Sequence, residues 1–214
     1  MNIDRVTFPT RTDRTRYMLR RYGAILKGRI LDVGCDKAVL RDLVPHLEYT
    51  GIDIGGTPTL ALNLEKINAL PFPDNTFDCV VCTDVLEHLD NLHAMFDELV
   101  RVTRGHIILS LPNCWVSARR PIQRGMGSLR FYGLPTNPQP DRHKWFFNIT
   151  DGIEFVTAHA KLKGLKVEGL CVNEKPRPGW LRGLRRLLYP SRERYMNRYT
   201  HTLWALLAKP PVSA

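Results

Sequence analysis

The stretch from Arg29 to Asp53 leaves this chain little choice of fold. Ile30, Leu31 and Val33 form a short apolar run ending at Gly34, the pattern of a strand buried on both faces. A polar turn follows, and Val39, Leu40, Leu43 and Val44 then recur at helical spacing up to Pro45. A second strand over Tyr49–Ile52 ends in Asp53. Strand, glycine turn, helix, strand and terminal carboxylate outline a nucleotide-binding βαβ unit. The turn lets a ligand approach the backbone, and an acid about 20 residues on can hydrogen-bond ribose hydroxyls. A dinucleotide fingerprint needs G-x-G-x-x-G, and only Gly34 of that pattern is present, which argues against a nicotinamide dehydrogenase.

Asp32-Val33-Gly34-Cys35, followed by Asp36 and Ala38, resembles the D-V-G-C-G-x-G turn of the class I S-adenosylmethionine-dependent methyltransferases. The likeness is to their small-molecule branch, methyltransferase type 11. Leu70 to Asp78, with Leu86-Glu87-His88-Leu89 after it, is similar to that branch's LPFPDNSFD…LEHL segment almost letter for letter. The resemblance covers about Tyr17 to Leu111 well and the rest loosely. It implies an α/β fold: a Rossmann-like, seven-stranded, mostly parallel sheet with helices on both faces and the last strand antiparallel. It also implies S-adenosyl-L-methionine as cofactor, and carries cofactor contacts onto Asp32, Gly34, Cys35, Asp53, Ile54, Asn63, Leu64 and Asp84. Asp53 falls on the ribose-binding acid. Asn63 and Leu64 stand where relatives carry an acid for the adenine amino group, and the Asn63 amide oxygen can still accept a hydrogen bond. Asp36 and Ala38 depart from the pattern, where glycines are usual. An Asp36 carboxylate could repel the cofactor's own, so a non-catalytic scaffold or partner subunit is one alternative.

The segment Phe77–Thr83 reads as the fourth strand, with Asp84 at its C-terminal end. Ligands of open parallel sheets bind outside those ends, so Gly34, Asp53 and Asp84 should converge on one crevice. Carboxylates there suit the sulfonium and ammonium of the implied cofactor. The N-P-P-Y-type tetrad of many DNA and protein amide methyltransferases would follow this strand; Thr83-Asp84-Val85-Leu86 stands there instead, which counts against base or amide N-methylation. Helices are expected over Asp13–Leu26 and over Asp90–Val102, the latter capped by Asp90. Strands are expected at Thr59–Leu64, His106–Leu111, Leu165–Val172 and His201–Lys209.

The whole chain, 1–214, reads as one domain, with 17–111 as its cofactor-binding half. Residues 114–148 are rich in glycine, proline and arginine, the composition of a lid or substrate loop. They end in His143 with Trp145 and Phe146 close behind, ahead of a helix that Thr150 could cap. Related O-methyltransferases often have a histidine and aromatic there, so His143 is the candidate base for a hydroxyl acceptor. The competing reading has it cap the loop while Trp145 and Phe147 anchor it. His88 is the weaker catalytic candidate, and a structural histidine is the commoner role. Residues 173–200 are an insertion before the last strand. In it Trp180, Leu181, Leu184, Leu187 and Leu188 share a helical face beside Arg182, Arg185 and Arg186.

The formal charge of +10 is concentrated in Arg5–Arg29, Arg119–Lys144 and Lys175–Arg198. Basic surfaces of this kind favour an anionic partner: a phosphate-bearing small molecule, a lipid-linked or glycan-type acceptor, nucleic acid, or a peripheral membrane contact through 180–198. An RNA methyltransferase would use the same loops on phosphates, but no recognisable RNA-binding appendage accompanies them. The five cysteines are scattered, and Cys79 and Cys82 would point to opposite faces of a strand, so neither a zinc site nor any other metal is expected. Reduced thiols, the lack of any apolar run of about 18 residues and a polar N-terminal stretch suggest a cytoplasmic protein. The reading is a methyltransferase acting more readily at oxygen, on a small or lipid-linked acceptor.

Overall fold

The computed structural model describes residues 1–129, 131–132 and 142–210. Its centre is a single sheet of β1 (Asn2–Arg5), β2 (Arg29–Val33), β3 (Glu48–Asp53), β4 (Leu60–Ala61), β5 (Phe77–Thr83), β6 (Thr103–Pro112), β7 (Lys166–Glu174) and β8 (Thr200–Ala208). The order across it is β1-β7-β8-β6-β5-β2-β3-β4. Pairings are parallel except that β8 runs antiparallel to both β6 and β7. The class is as expected, with eight strands rather than seven. The extra one is β1, an edge strand in register with β7 from Asn2↔Cys171 to Arg5↔Glu174. Its short polar sequence carries no apolar alternation from which a strand could be read.

Alternation along the strands sorts the core onto two faces. Ile30, Cys79, Val81 and Ile108 pack with Tyr17, Met18 and Tyr22 of α1 (Arg11–Tyr22) and Leu40 of α2 (Val39–Leu43). Leu31, Val33, Val80, Cys82 and Ile107 pack with α3 (Leu92–Val102) and with Phe155 and Val156 on the far side. Cys79 and Cys82 do point to opposite faces, and all five cysteines are buried free thiols.

Several boundaries differ from the periodicity. The 13–26 helix starts earlier, where Thr10 and Asp13 form a reciprocal capping box, and ends at Tyr22 before a short 3-10 turn. The 59–64 strand shrinks to Leu60–Ala61. Asp90 does not cap α3: Asn91 precedes the helix without a side-chain cap, and the Asp90 carboxylate instead takes Lys144 Nζ at 2.6 Å. Cys114–Arg124, loop-like in composition, is helix α4, started by the Asn113 side chain on the Trp115 amide and stopped by Gly125 at φ 61. Thr150 is not the cap of α5 (Ile149–Leu162); Asn148, two residues earlier, is, and it forms a capping box with Asp151. The insertion holds α6 (Gly179–Leu188) and α7 (Arg192–Tyr199). The proline-rich piece 134–140 of the expected lid lies outside the described residues.

Candidate functional site

Strand order reverses between β2 and β5, so the connections leaving their C-terminal ends diverge and leave a crevice there. A cavity of about 460 Å³ fills it, lined by Gly34 after β2, Asp53 at the end of β3 with Ile54 after it, Asn63 and Leu64 after β4, and Asp84, Val85 and His88 after β5. The predicted convergence of Gly34, Asp53 and Asp84 is therefore real. Asp32 and Cys35 are set back from this wall, each 7% exposed.

The turn after β2 keeps the backbone of a glycine-rich loop without its glycines. Gly34 has φ 75, and Asp36 and Ala38 take left-handed φ values of 48 and 50. Three contacts hold Asp36 there. Its amide donates to Asp53 Oδ2 at 2.8 Å, its carbonyl accepts from the Thr57 amide at 2.7 Å, and its carboxylate lies 3.2 Å from Arg11 Nη1. Arg11 thus counters the negative charge that the sequence placed beside the crevice. Gly56, at φ 77, makes the second contact geometrically feasible: a Cβ there would stand 2.1 Å from the Asp36 carbonyl oxygen.

Asp53 is a hub as well as a wall. It also accepts from the Gly55 amide at 3.2 Å, and a carboxylate has about four lone-pair sites, so acceptor capacity remains toward the cavity. Asp84, at φ 53, is ion-paired with Arg14 of α1 and accepts from Ser110 Oγ at 2.6 Å. Arg14, on the helix ahead of the first central strand, thus shares the charge of Asp84. Asn63 Oδ1 accepts from the Glu65 amide at 3.0 Å, while the Ile54 side chain stands 71% exposed over the cavity.

Asp32 sits behind Gly34, where burial pushes its carboxyl up to about 7, against the opposing pull of the Tyr49 hydroxyl donating at 2.8 Å and of Arg14. The sign follows from linkage. Between about pH 4 and pH 7 the fold holds a proton that the unfolded chain has lost, so raising the pH through this window disfavours the fold. Asp32→Asn keeps an acceptor for Tyr49 and removes the buried charge. Its stability advantage over the native chain, followed by urea unfolding, is expected to grow from pH 4 to pH 8 by up to about 4 kcal/mol. A pH-independent difference would refute the assignment.

The predicted histidines meet at His88, which lines the cavity. His88 and His143 lie edge to face with ring centroids 4.5 Å apart, and Glu87, buried, completes a group whose ligand-type atoms fall within 4.8 Å of one another. This trio of Glu87, His88 and His143 is a donor set that the cysteine spacing gave no hint of, and a divalent cation could be held there. His143 stacks on Phe131 at 4.5 Å and its Nδ1 is 2.8 Å from the Tyr132 hydroxyl. Backbone contacts explain the meeting: the Lys144 and Trp145 amides both donate to the Glu87 carbonyl, and Trp145 Nε1 donates to the Leu89 carbonyl at 2.7 Å. Trp145 and the buried Phe147 do anchor the segment, which brings His143 to His88.

A crevice at the switch point of an open α/β sheet, lined by acids and flanked by paired histidines, is the place where ligands of such sheets bind. Residues 31–109 match the type 11 family model described as a methyltransferase domain. An uncharacterized protein of Methanocaldococcus jannaschii is 35% identical over 92 residues, 39% of this chain and 40% of that protein. The ubiquinone biosynthesis O-methyltransferase of Photorhabdus laumondii is 25% identical over 119 residues, 47% of this chain and 49% of that enzyme. The match thus spans less than half the length of these curated relatives. In fold, the chain is similar to a putative methyltransferase of Bacillus halodurans (TM-score 0.57, 13% identity, 92% of this chain and 98% of that one). A SAM-dependent methyltransferase of Archaeoglobus fulgidus is comparable (TM-score 0.54, 19% identity, 92% and 94%). The chain thus shares the fold of these solved structures over 92% of its length, and its residues 31–109 resemble a methyltransferase domain.

Proposed function

We propose that this protein transfers a methyl group from S-adenosylmethionine to a hydroxyl oxygen of a small or lipid-linked anionic acceptor. The observation that carries the reading is the single cavity joining Gly34, Asp53 and Asp84 to His88. The residues present suit the cofactor: a glycine with no room for a Cβ beside Val85, acids for ribose and for positive centres, and apolar Ile54 and Leu64 for a base. Asp53 would hold the ribose hydroxyls, Asn63 and Leu64 the adenine edge, and Asp84 the cationic end, with Asp32 buried behind the turn rather than on the cavity wall. Gly34 and Cys35 would supply the close-approaching backbone. When bound, the cofactor supplies a methyl group on positively charged sulfur, open to in-line attack.

The protein's own task is alignment and proton management. In the tautomer whose Nδ1–H donates to the Tyr132 oxygen, Nε2 of His143 would accept the acceptor's hydroxyl proton. His88 beside it orients the ring. The match to ubiquinone O-methyltransferases supports transfer to oxygen. The experiment is transfer of tritium from methyl-labelled cofactor to a panel of hydroxyl-bearing amphiphiles. His143→Phe is expected to lower turnover by about 10²–10³-fold while leaving cofactor affinity unchanged. Equal turnover would remove His143 from the chemistry, and label appearing only in RNA would move the protein to the RNA class.

A membrane surface fits the insertion. Among the described residues no helix is long and apolar enough to cross a bilayer, but α6 turns Trp180, Leu184, Leu187 and Leu188 to solvent. Its inner side is fastened through Arg185, which bonds Glu174 at 3.3 Å and lies over Tyr199. Exposed Lys175, Arg177, Arg186 and Arg192 flank the apolar stripe, the composition of a helix lying on an anionic surface. Sedimentation with phosphatidylglycerol vesicles is expected, and its loss in Leu187→Glu; retention by that variant would rule out the stripe.

A further inference from the structure

A second cavity, about 620 Å³, runs between α4 and α7. That volume is in the range of ligand pockets, roughly 300–1,000 Å³. Trp115, Ile122 and Phe146 line it and remain 46%, 65% and 44% exposed, so apolar surface is left open to a ligand. The walls are fixed. Asn113 Nδ2 donates to the carbonyls of Asn197 and Thr200 at 2.9 and 2.6 Å, and Arg119 Nη1 donates to the Arg198 carbonyl at 2.7 Å. A groove held in this way needs little ordering when it binds.

Its charge is one-sided. Arg119, Arg194 and Arg198 line the groove against a single carboxylate, Glu193. The guanidiniums of Arg119, Arg185 and Arg198 all lie over the Tyr199 ring, at 5.7, 4.4 and 5.9 Å. Burial, and then the like charge of Arg198, hold Arg119 below its ordinary value. The Nε of Arg198 is buried with no hydrogen-bond partner among the described residues. A buried donor of this kind is costly, and a multidentate oxyanion is what satisfies a guanidinium. The groove also leads to the reactive cluster: Phe146 packs on Tyr132 at 4.8 Å, and the Tyr132 hydroxyl meets His143.

We infer that the α4–α7 groove binds the apolar chain of an anionic amphiphile whose phosphate group is held by Arg198 and Arg194, and that this amphiphile is the methyl acceptor. Only the second clause rests on the methyltransferase reading. Calorimetric titration of the full chain with dodecyl phosphate, below its micelle concentration, tests the first. Saturable binding is expected, at least about tenfold tighter than that of dodecyl maltoside or of inorganic phosphate. Ile122→Asp changes an exposed position, so the fold should survive it, and Arg198→Gln removes the guanidinium while keeping a donor. Each is expected to weaken dodecyl phosphate by about tenfold or more with the affinity for S-adenosylmethionine unchanged. Lack of binding, equal binding by both variants, or equal binding of the neutral glycoside would overturn the site. Inorganic phosphate binding as tightly as dodecyl phosphate would overturn the chain-binding claim. Dodecyl phosphate bound without S-adenosylmethionine would leave the groove standing and remove the methyltransferase reading; the reverse result would do the opposite.

Discussion

Gly56→Ala is expected to weaken S-adenosylmethionine binding by about 100-fold or more and to lower the melting temperature by roughly 5–10 °C. Two effects combine. An L-residue at φ 77 is strained by about 1–2 kcal/mol. Its Cβ would also stand 2.1 Å from the Asp36 carbonyl oxygen, which is backbone and cannot rotate away. The Gly55–Thr57 loop must then part from the turn after β2, and the Thr57 amide loses its acceptor. Since Asp36 and Ala38 already hold left-handed conformations that glycine would adopt freely, that turn has little tolerance for losing an external tie. Gly55→Ala is the control: nothing lies within 4 Å of a Cβ there, and native-like binding is expected. Calorimetry and thermal melts of the two variants decide it, and matching behaviour of the pair would contradict the account.

Asp53→Ala should have the other large effect. The carboxylate accepts from the Asp36 and Gly55 amides and faces the cavity, so its removal deprives both loops and the ribose of an acceptor. Hydrogen bonds to charged groups contribute about 1.5–3 kcal/mol each, so a loss of about 100-fold or more in cofactor affinity is expected, with the fold retained. Asp53→Asn keeps one acceptor oxygen and should fall between. Unchanged affinity in the alanine variant would remove Asp53 from the site.

How far the site was legible in the sequence differs residue by residue. Gly34, Asp53 and Asp84 could be placed because each follows an apolar strand, and strand ends on a parallel sheet share one edge. Arg14 could not, because its position on a helix face says nothing of the carboxylate opposite. Gly56 was visible only as a loop glycine; its need for a missing Cβ comes from Asp36, twenty residues away in sequence. The turn at Asp36 looked damaged, yet its geometry survives because tertiary contacts impose what glycine would have allowed. His143 was placed by resemblance and meets His88 through backbone bonds of Lys144 and Trp145, which side-chain identity does not encode. β1 was missed for lack of pattern, and α4 because its arginines, Pro121 and the glycines after it resemble a loop.

The central claim is that a turn without its usual glycines still holds the cofactor. Calorimetric titration of the purified protein with S-adenosylmethionine and S-adenosylhomocysteine tests it most directly. The account predicts one-site binding of both, in the micromolar range of about −8 kcal/mol, weakened in Asp53→Ala. Heat-silent titrations of both, in a protein shown to be folded, would contradict it and leave a methyltransferase-like scaffold.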